Sequence, residues 1–448
     1  MKAILVIGGG FAGLWAAVAA ARKLAENGTP RDTIGVTLVD RHDSHNIRVR
    51  NYEADLSPVL VPFDDVLDPI GVERIRGDVA GIDLDRKTVL VRTDAGERQV
   101  HYDRLVYALG SELVRPAVPG LAEFGFDVDS YAGAKRLDDH LKGLRELAAT
   151  PGRDTIVVVG GGLTGIETAA EMVARLEPLA GDAPGRRPRV LLLDAHPVIG
   201  AGMGEAAPVI AEALAALQVE SRGGVVIDAL GPAGLTLAGG EFIAAETIVW
   251  CGGMRAHPLS GQLPIECDRL GRLPVDEFMR VEGLPDVYAA GDAAWSLLDG
   301  VHPSVMSCQH ARPMGRYAGH NVAADLLGLP LLPLHIDWYV TVLDLGRWGA
   351  AYTVGRERRL VSQGMTAKRT KQVINRERIY PPPGRDRDAI LAAAAPIVQA
   401  PPEVISRPKI GRAGSSASSL MGAGCSVAAS AGTPAWRTAE GGDVVGGD

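Results

Sequence analysis

"TIVVVGGGLTGIETAA", residues 155–170, runs five β-prone residues into three consecutive glycines and then into letters with helical spacing. The apolar run reads as a buried strand. The glycines permit a tight turn that no Cβ obstructs, and the remainder reads as a helix whose N-terminus lies at that turn. The chain carries the same construction once before, as "AILVIGGGFAGLWAAVAAA", residues 3–21.

By hydropathy alone the earlier copy resembles a signal peptide or a membrane span, because it is uncharged and follows Lys2. Gly8-Gly9-Gly10 decides otherwise, since a β-rich run ending in three glycines makes a poor membrane helix and a good strand and turn. No other long uncharged apolar run occurs, so a cytoplasmic protein is expected, soluble or peripheral on the inner face of the membrane.

Working outward, strand-like runs at 3–7, 35–39, 88–92 and 104–108 surround a helical segment at 11–26. The pattern restarts with strand 155–159, helix 163–177, strand 189–193 and helix 205–217. Residues 116–150, with "PAVPG" and "AKRLDDHLKGLREL", suit a connector between two units. A length of 448 residues and 46% hydrophobic composition accommodate two or three such domains. The net charge of -8 argues against a nucleic-acid partner. The four cysteines, Cys251, Cys267, Cys308 and Cys425, form no CxxC pair, which speaks against a disulfide framework, a zinc site and a dithiol couple. No metal site is expected.

A dinucleotide pyrophosphate needs main-chain N–H groups and a positive helix N-terminus pressed against it, and glycine lets the backbone come that close. Gly8-x-Gly10-x-x-Gly13 and Gly160-x-Gly162-x-x-Gly165 each supply this. Asp40 in "VTLVDRH" and Asp194 in "VLLLDAH" end the next strands, where an acid accepts bonds from a ribose. Both acids follow at more than the usual ~20 residues, an excess accounted for by the loop insertions "ENGTPRDT" and "LAGDAPGRRPR". Two adjacent nucleotide sites suggest a resident flavin and a passing nicotinamide, with hydride transfer between them. At Asp194 a carboxylate, followed by His196 rather than an arginine, favours NADH over NADPH; Arg186, Arg187 and Arg189 would oppose that preference if they folded back.

These stretches resemble the flavoproteins that carry two dinucleotide-binding domains and, among them, the type II (alternative) NADH dehydrogenases. The likeness covers residues 1–350 and rests on "VIGGGFAGLWAA", "YDRLVYALGS", "VVVGGGLTGIETAAEM", "TIVWCGGMRAHPL" and "LGRLPVDEFMRVEGLPDVYAAGDAAW". It implies an α/β fold with two Rossmann-like domains, for FAD (1–118 and 270–330) and for NADH (119–269). A small α+β C-terminal domain (331–400) and a disordered tail (401–448), poor in large apolar residues, complete the expected chain. The implied cofactor contacts are Gly8, Gly10, Phe11, Ala12, Gly13, Asp40, Arg41, Ala108, Gly110, Gly291 and Asp292 in the first domain and its closing motif. In the second they are Gly160, Gly162, Leu163, Thr164, Gly165, Glu167, Asp194, Gly252 and Gly253. The resemblance has Asp292 bonding the ribityl chain and places Glu167 where nicotinamide meets flavin, although an acid early in a helix is also favourable by itself.

A quinone or similar small acceptor is the expected partner. Disulfide reductases of this group use a cysteine pair that is absent here; sulfide:quinone oxidoreductases need two cysteines at the flavin, which here would be Cys308 plus another. The relatives' Ala-Gln-x-Ala-x-Gln quinone pattern aligns with Cys308-Gln309-His310-Ala311-Arg312-Pro313, which keeps one glutamine. Gln309 is a candidate for bonding a quinone carbonyl and His310 for giving a proton, on a helix expected to begin near Pro303-Ser304 and to kink at Pro313. Lys368, Arg369, Lys371, Arg376 and Arg378 form a basic stretch suited to anionic lipid. Reduction of a rubredoxin or ferredoxin, or nucleotide sensing as in apoptosis-inducing-factor proteins, are the alternatives. A dimer is the assembly carried forward.

Overall fold

The structure, a computed structural model, describes residues 1–179 and 188–405. Strand β1 (Lys2–Ile7) leads through the first glycine turn into α1 (Phe11–Glu26), which returns the chain to β2 (Ile34–Asp40). Residues 4–7 of β1 are fully covered, as an interior parallel strand with both faces packed must be. The sheet is parallel throughout, in the order Val287–Ala289, Arg104–Tyr107, β1, β2, Glu73–Arg76. Its outermost strand therefore arrives from far along the chain.

The second unit repeats this plan. Strand β3 (Thr155–Val159), α2 (Leu163–Leu176) and β4 (Arg189–Leu193) stand where β1, α1 and β2 stand in the first. The parallel order is Gly125–Phe126, Thr247–Trp250, β3, β4, Val219–Arg222. The strands following the two return strands, Ser111–Leu113 and Met254–Ala256, pair antiparallel and tie the units together beside the mouths of the glycine turns.

Helix α3 (Cys308–Leu326) lies against α1 so closely that a Cβ on Gly315 would sit 2.2 Å from the Ala12 carbonyl oxygen, and one on Gly319 2.0 Å from that of Ala16. Small residues on both helices allow that approach. The last third forms an antiparallel sheet, Val340–Asp344, Ala350–Val354 and Arg359–Gln363, followed by α4 (Gly364–Val373).

Two expectations change, and one residue stands as expected. Helix α3 begins at Cys308, not near residue 303, because Ser307 turns its hydroxyl onto the His310 N–H and caps the helix there. Pro313 lies inside α3, where, as expected, it removes one helical bond, the one that the Gln309 carbonyl would otherwise accept. Residues 401–405, expected to open a disordered tail, are irregular but pinned: Thr370 Oγ1 donates to Glu403 O at 3.2 Å and accepts from Ile405 N at 3.0 Å. The remainder of the expected tail, Arg186 and Arg187 lie outside the described residues.

Candidate functional site

The two glycine turns agree almost atom for atom. Gly8 (φ +93°) and Gly160 (φ +117°) occupy backbone conformations that favour glycine. They donate to the Val39 and Leu193 carbonyls at 2.8 and 2.7 Å. A Cβ on Gly13 would fall 1.7 Å from Gly8 O, and one on Gly165 1.7 Å from Gly160 O, so neither helix could sit over its turn with any other residue. At Gly10 and Gly162, by contrast, a Cβ would meet nothing within 4 Å. These two glycines face open space.

That space suits an anion. Gly10 and Gly162 are the N-cap residues of α1 and α2, neither helix has a side-chain cap, and neither has an acid in its first turn. Elsewhere Ser130, Ser307 and Asp386 cap their helices with side chains. The first-turn N–H groups of α1 and α2 thus lack the usual partners and would bond a pyrophosphate with help from the helix dipole. Phe11 and Ala12 open α1 just as Leu163 and Thr164 open α2. The residues present fit two dinucleotides.

Asp40 and Asp194 are also matched. Asp40 accepts from Gly9 N at 2.6 Å and from His42 N at 2.7 Å; Asp194 accepts from Gly161 N, and from His196 N at 2.5 Å. Each carboxylate thereby fixes its glycine turn and keeps acceptor capacity for a ribose. Arg41 pairs with Asp78 at 3.0 Å. Arg189, which would have favoured a 2′-phosphate by folding back, is held by Glu220 at 2.8 Å.

Ala108 and Cys251, ending the return strands, close over Gly8 and Gly160 respectively, and Gly110 and Gly253 follow with positive φ and no atom where a Cβ would stand; Gly252 packs on Trp250. A Cβ on Gly291 would sit 2.7 Å from that of Ala12 in α1. Beside it Asp292 accepts from Ser111 Oγ at 2.7 Å, and the Arg48 guanidinium donates to that hydroxyl at 3.0 Å while pairing with Asp129. Burial pushes the Asp292 carboxyl up, against the pull of Ser111 and Arg48. Arg48, Ser111 and Asp129 were not anticipated: "NIRVRNYE" carries no motif that marks Arg48, and Ser111 ends the stretch "YDRLVYALGS" without being singled out.

Glu167 is buried in α2 and engages α4 and the antiparallel sheet beside it. Its Oε1 accepts from Lys371 Nζ at 2.8 Å and from Asp344 N at 2.9 Å. Burial raises the carboxyl despite Lys371, and Glu167 in turn holds the Lys371 ammonium above the ordinary lysine range. Lys368 pairs with Asp344, and Arg369 donates to Ile405 O. Of the basic stretch expected to face lipid, Lys368 and Lys371 therefore turn inward onto Asp344 and Glu167, Arg369 and Arg378 onto main-chain carbonyls, and Arg376 is exposed.

Gln309 lines a cavity behind α3, with Trp338 and Ile374 opposite, and its Nε2 is buried without a hydrogen-bond partner. His310, one residue on, points elsewhere. Its Nδ1 accepts from Val305 N at 2.8 Å, and burial lowers its pKa to about 4. A neutral ring outside that cavity does not suit the proton-donor role expected of it. Because the folded chain keeps His310 neutral while the unfolded chain protonates it below about 6.5, this residue favours folding above that pH and the advantage is lost as pH falls toward 4. In His310→Asn, denaturant titrations between those limits should give a stability slope shallower by about 1.4 kcal/mol per pH unit.

Cys251 and Cys308 carry thiols raised by burial, Cys251 to about 12. A redox thiolate needs the opposite shift. Among the described residues no group of acids, histidines and cysteines is arranged to hold a metal, and no helix is long and apolar enough to cross a membrane.

Comparison with known proteins agrees with this geometry. Residues 2–315 match the description "Pyridine nucleotide-disulphide oxidoreductase". An NADH dehydrogenase-like protein of Mycobacterium tuberculosis is 55% identical over 403 residues, covering 90% of this chain and 100% of that one. A type II NADH:quinone oxidoreductase of Staphylococcus saprophyticus is 25% identical over 404 residues, covering 85% and 95%. The solved structure of NDH2 from Plasmodium falciparum in complex with NADH shares the fold at a TM-score of 0.69 and 11% identity, covering 88% and 97%.

Proposed function

This chain belongs to the pyridine nucleotide-disulphide oxidoreductase family, and from that premise we propose that it is an FAD-dependent enzyme passing electrons from NADH to a quinone. The observation that carries the reading is the doubled glycine turn, with two uncapped helix N-termini facing open space and two carboxylates fixing the turns. Bound FAD supplies a ring that accepts hydride and gives up its electrons to a second substrate. Residues 1–118 and 270–330 would form the FAD domain, 119–269 the NADH domain and 331–400 the C-terminal domain.

In this reading the chain works by positioning. The α1 N-terminus holds the FAD pyrophosphate, Asp40 its adenosine ribose, and Asp292, oriented by Ser111 and Arg48, its ribityl hydroxyls. The α2 N-terminus and Asp194 do the same for NADH. Glu167, anchored by Lys371, keeps α2 in register with the C-terminal sheet. Gln309 offers an amide N–H to an acceptor carbonyl in the cavity behind α3.

Under anaerobic conditions NADH should bleach the visible band of the flavin-loaded protein, and a soluble quinone should restore it. NADPH should be at least about 100-fold less efficient, since Asp194 repels a 2′-phosphate. Protein that takes up no FAD, or flavin that NADH never reduces, would end the proposal. Reoxidation by a rubredoxin or ferredoxin and by no quinone would replace the acceptor, and a reduced complex that every oxidant leaves untouched would favour the sensor.

A further inference from the structure

The cavity behind α3 contains a concentration of positive charge that hydride transfer does not require. Arg312 and Arg316 follow Cys308 and Gln309 along one face of the helix, at the spacing that stacks side chains on successive turns. Arg378 lines the same space, a cavity of about 80 Å³ that shares Ile336, Trp338, Val340 and Pro402 with an adjoining groove of about 540 Å³. Together they have the volume of a small-molecule site.

Arg312 is 7% exposed and Arg316 2%. The other deeply buried arginines, Arg50, Arg153 and Arg272, pair with Glu53, Asp154 and Asp268. Arg312 and Arg316 have no such carboxylate among the described residues. Their Nε atoms are buried without a partner, and Arg312 reaches only the Gln399 amide oxygen, at 3.4 Å. Both guanidinium groups stack on the Trp15 ring, at 5.3 and 4.5 Å from its centre, which holds them in place without neutralising them. Arg378 donates to a main-chain carbonyl, that of Ala400.

Burial lowers Arg312 to about 10 and Arg316 to about 9, with repulsion from Arg378, and at Arg316 also from Arg312, adding to the effect. Arg312 and Arg316 therefore remain cationic at neutral pH, as a guanidinium does in general. Buried charge without a counterion is costly, and a planar guanidinium suits a carboxylate in particular, through paired N–H bonds.

We propose that the electron acceptor of this protein carries an ionised carboxylate, bound by Arg312, Arg316 and Arg378, on a planar quinone ring held beside Gln309 and Trp338. The inference rests on the quinone-reductase reading and narrows it to anionic quinones. The overall reaction is unchanged: NADH and one proton reduce the quinone to the hydroquinone and leave NAD+, while the carboxylate keeps its charge and serves only recognition.

The test uses a naphthoquinone carboxylate and its methyl ester as acceptors for the flavin-loaded, NADH-reduced protein. The acid should have a KM at least about tenfold below that of the ester, as charge-assisted bonds to buried donors imply. In Arg316→Met and in the half-buried Arg378→Gln that preference should shrink about tenfold, with flavin content per chain equal to wild type. Equal use of acid and ester by the wild type, or a preference that survives both substitutions, overturns the proposal. A second arm needs no turnover: a hydroxynaphthoate is titrated against the oxidised protein by tryptophan fluorescence, with the uncharged naphthol as control. Binding that weakens in about 0.5 M salt and in both variants supports the charge site even if no quinone is reduced; acid and naphthol binding equally well overturns it. Flavin that NADH does not reduce refutes the enzyme reading, and the binding arm then decides the charge site by itself.

Discussion

Gly10→Asp is expected to yield a folded protein that is colourless and stays so when FAD is added. Gly10 has φ -68° and ψ -167°, a conformation open to any residue, and a Cβ there meets no protein atom within 4 Å. Aspartate is among the best N-cap residues, and glycine is only a few tenths of a kcal/mol worse, so the α1 terminus should be as stable as before or slightly more so. The same carboxylate would occupy the first-turn N–H groups and set a negative charge where the pyrophosphate must lie. Losing those bonds and adding like-charge repulsion should weaken FAD binding at least about 100-fold. An absorption spectrum of the purified variant and a melting curve in added FAD check this. A yellow variant with wild-type flavin content would mean that the open space at Gly10 serves something else. Gly13→Ala provides the contrast, because its Cβ would collide with the Gly8 carbonyl and damage the fold itself.

The difference between these two glycines also indicates what sequence can convey. The strand–glycine–helix units are local, so their letters announce them: β1 and β3 are apolar because both faces of an interior parallel strand are covered, and Gly8, Gly13, Gly160 and Gly165 each answer a contact within their own unit. The acids at the strand ends were legible for the same reason, although their hold on Gly9 and Gly161 was not. The C-terminal third was harder to read because its partners are remote. Lys368, Arg369 and Lys371 looked like a surface charge run, yet Lys371 meets Glu167 some 200 residues away, with the burial of both decided by packing that no short window contains. Ser307, a short polar residue five positions before a charged helical run, was a readable cap signal that would have placed the start of α3 correctly. Arg312 and Arg316 posed the opposite problem: helical spacing put them on one face, but only the surrounding fold shows that this face is buried and lacks acids.

Gly162→Asp should separate the two sites. Gly162 matches Gly10 in every respect that bears on the substitution: N-cap of its helix, φ -76° and ψ -176°, no protein atom within 4 Å of a Cβ, and no competing cap. The variant should fold, bind FAD and be yellow, and a chemical reductant should still bleach it. NADH should not, or should do so with a KM raised at least about 100-fold, because the carboxylate now contests the α2 N–H groups with the incoming pyrophosphate. The pair of variants tests a claim that neither tests alone. If the two turns were only structural duplicates, identical chemistry at equivalent positions would have identical consequences. If one turn holds a resident cofactor and the other a transient substrate, the first substitution removes the colour and the second removes only the response to NADH. A Gly162→Asp protein that NADH reduces at the wild-type rate would place the nicotinamide nucleotide elsewhere in the molecule.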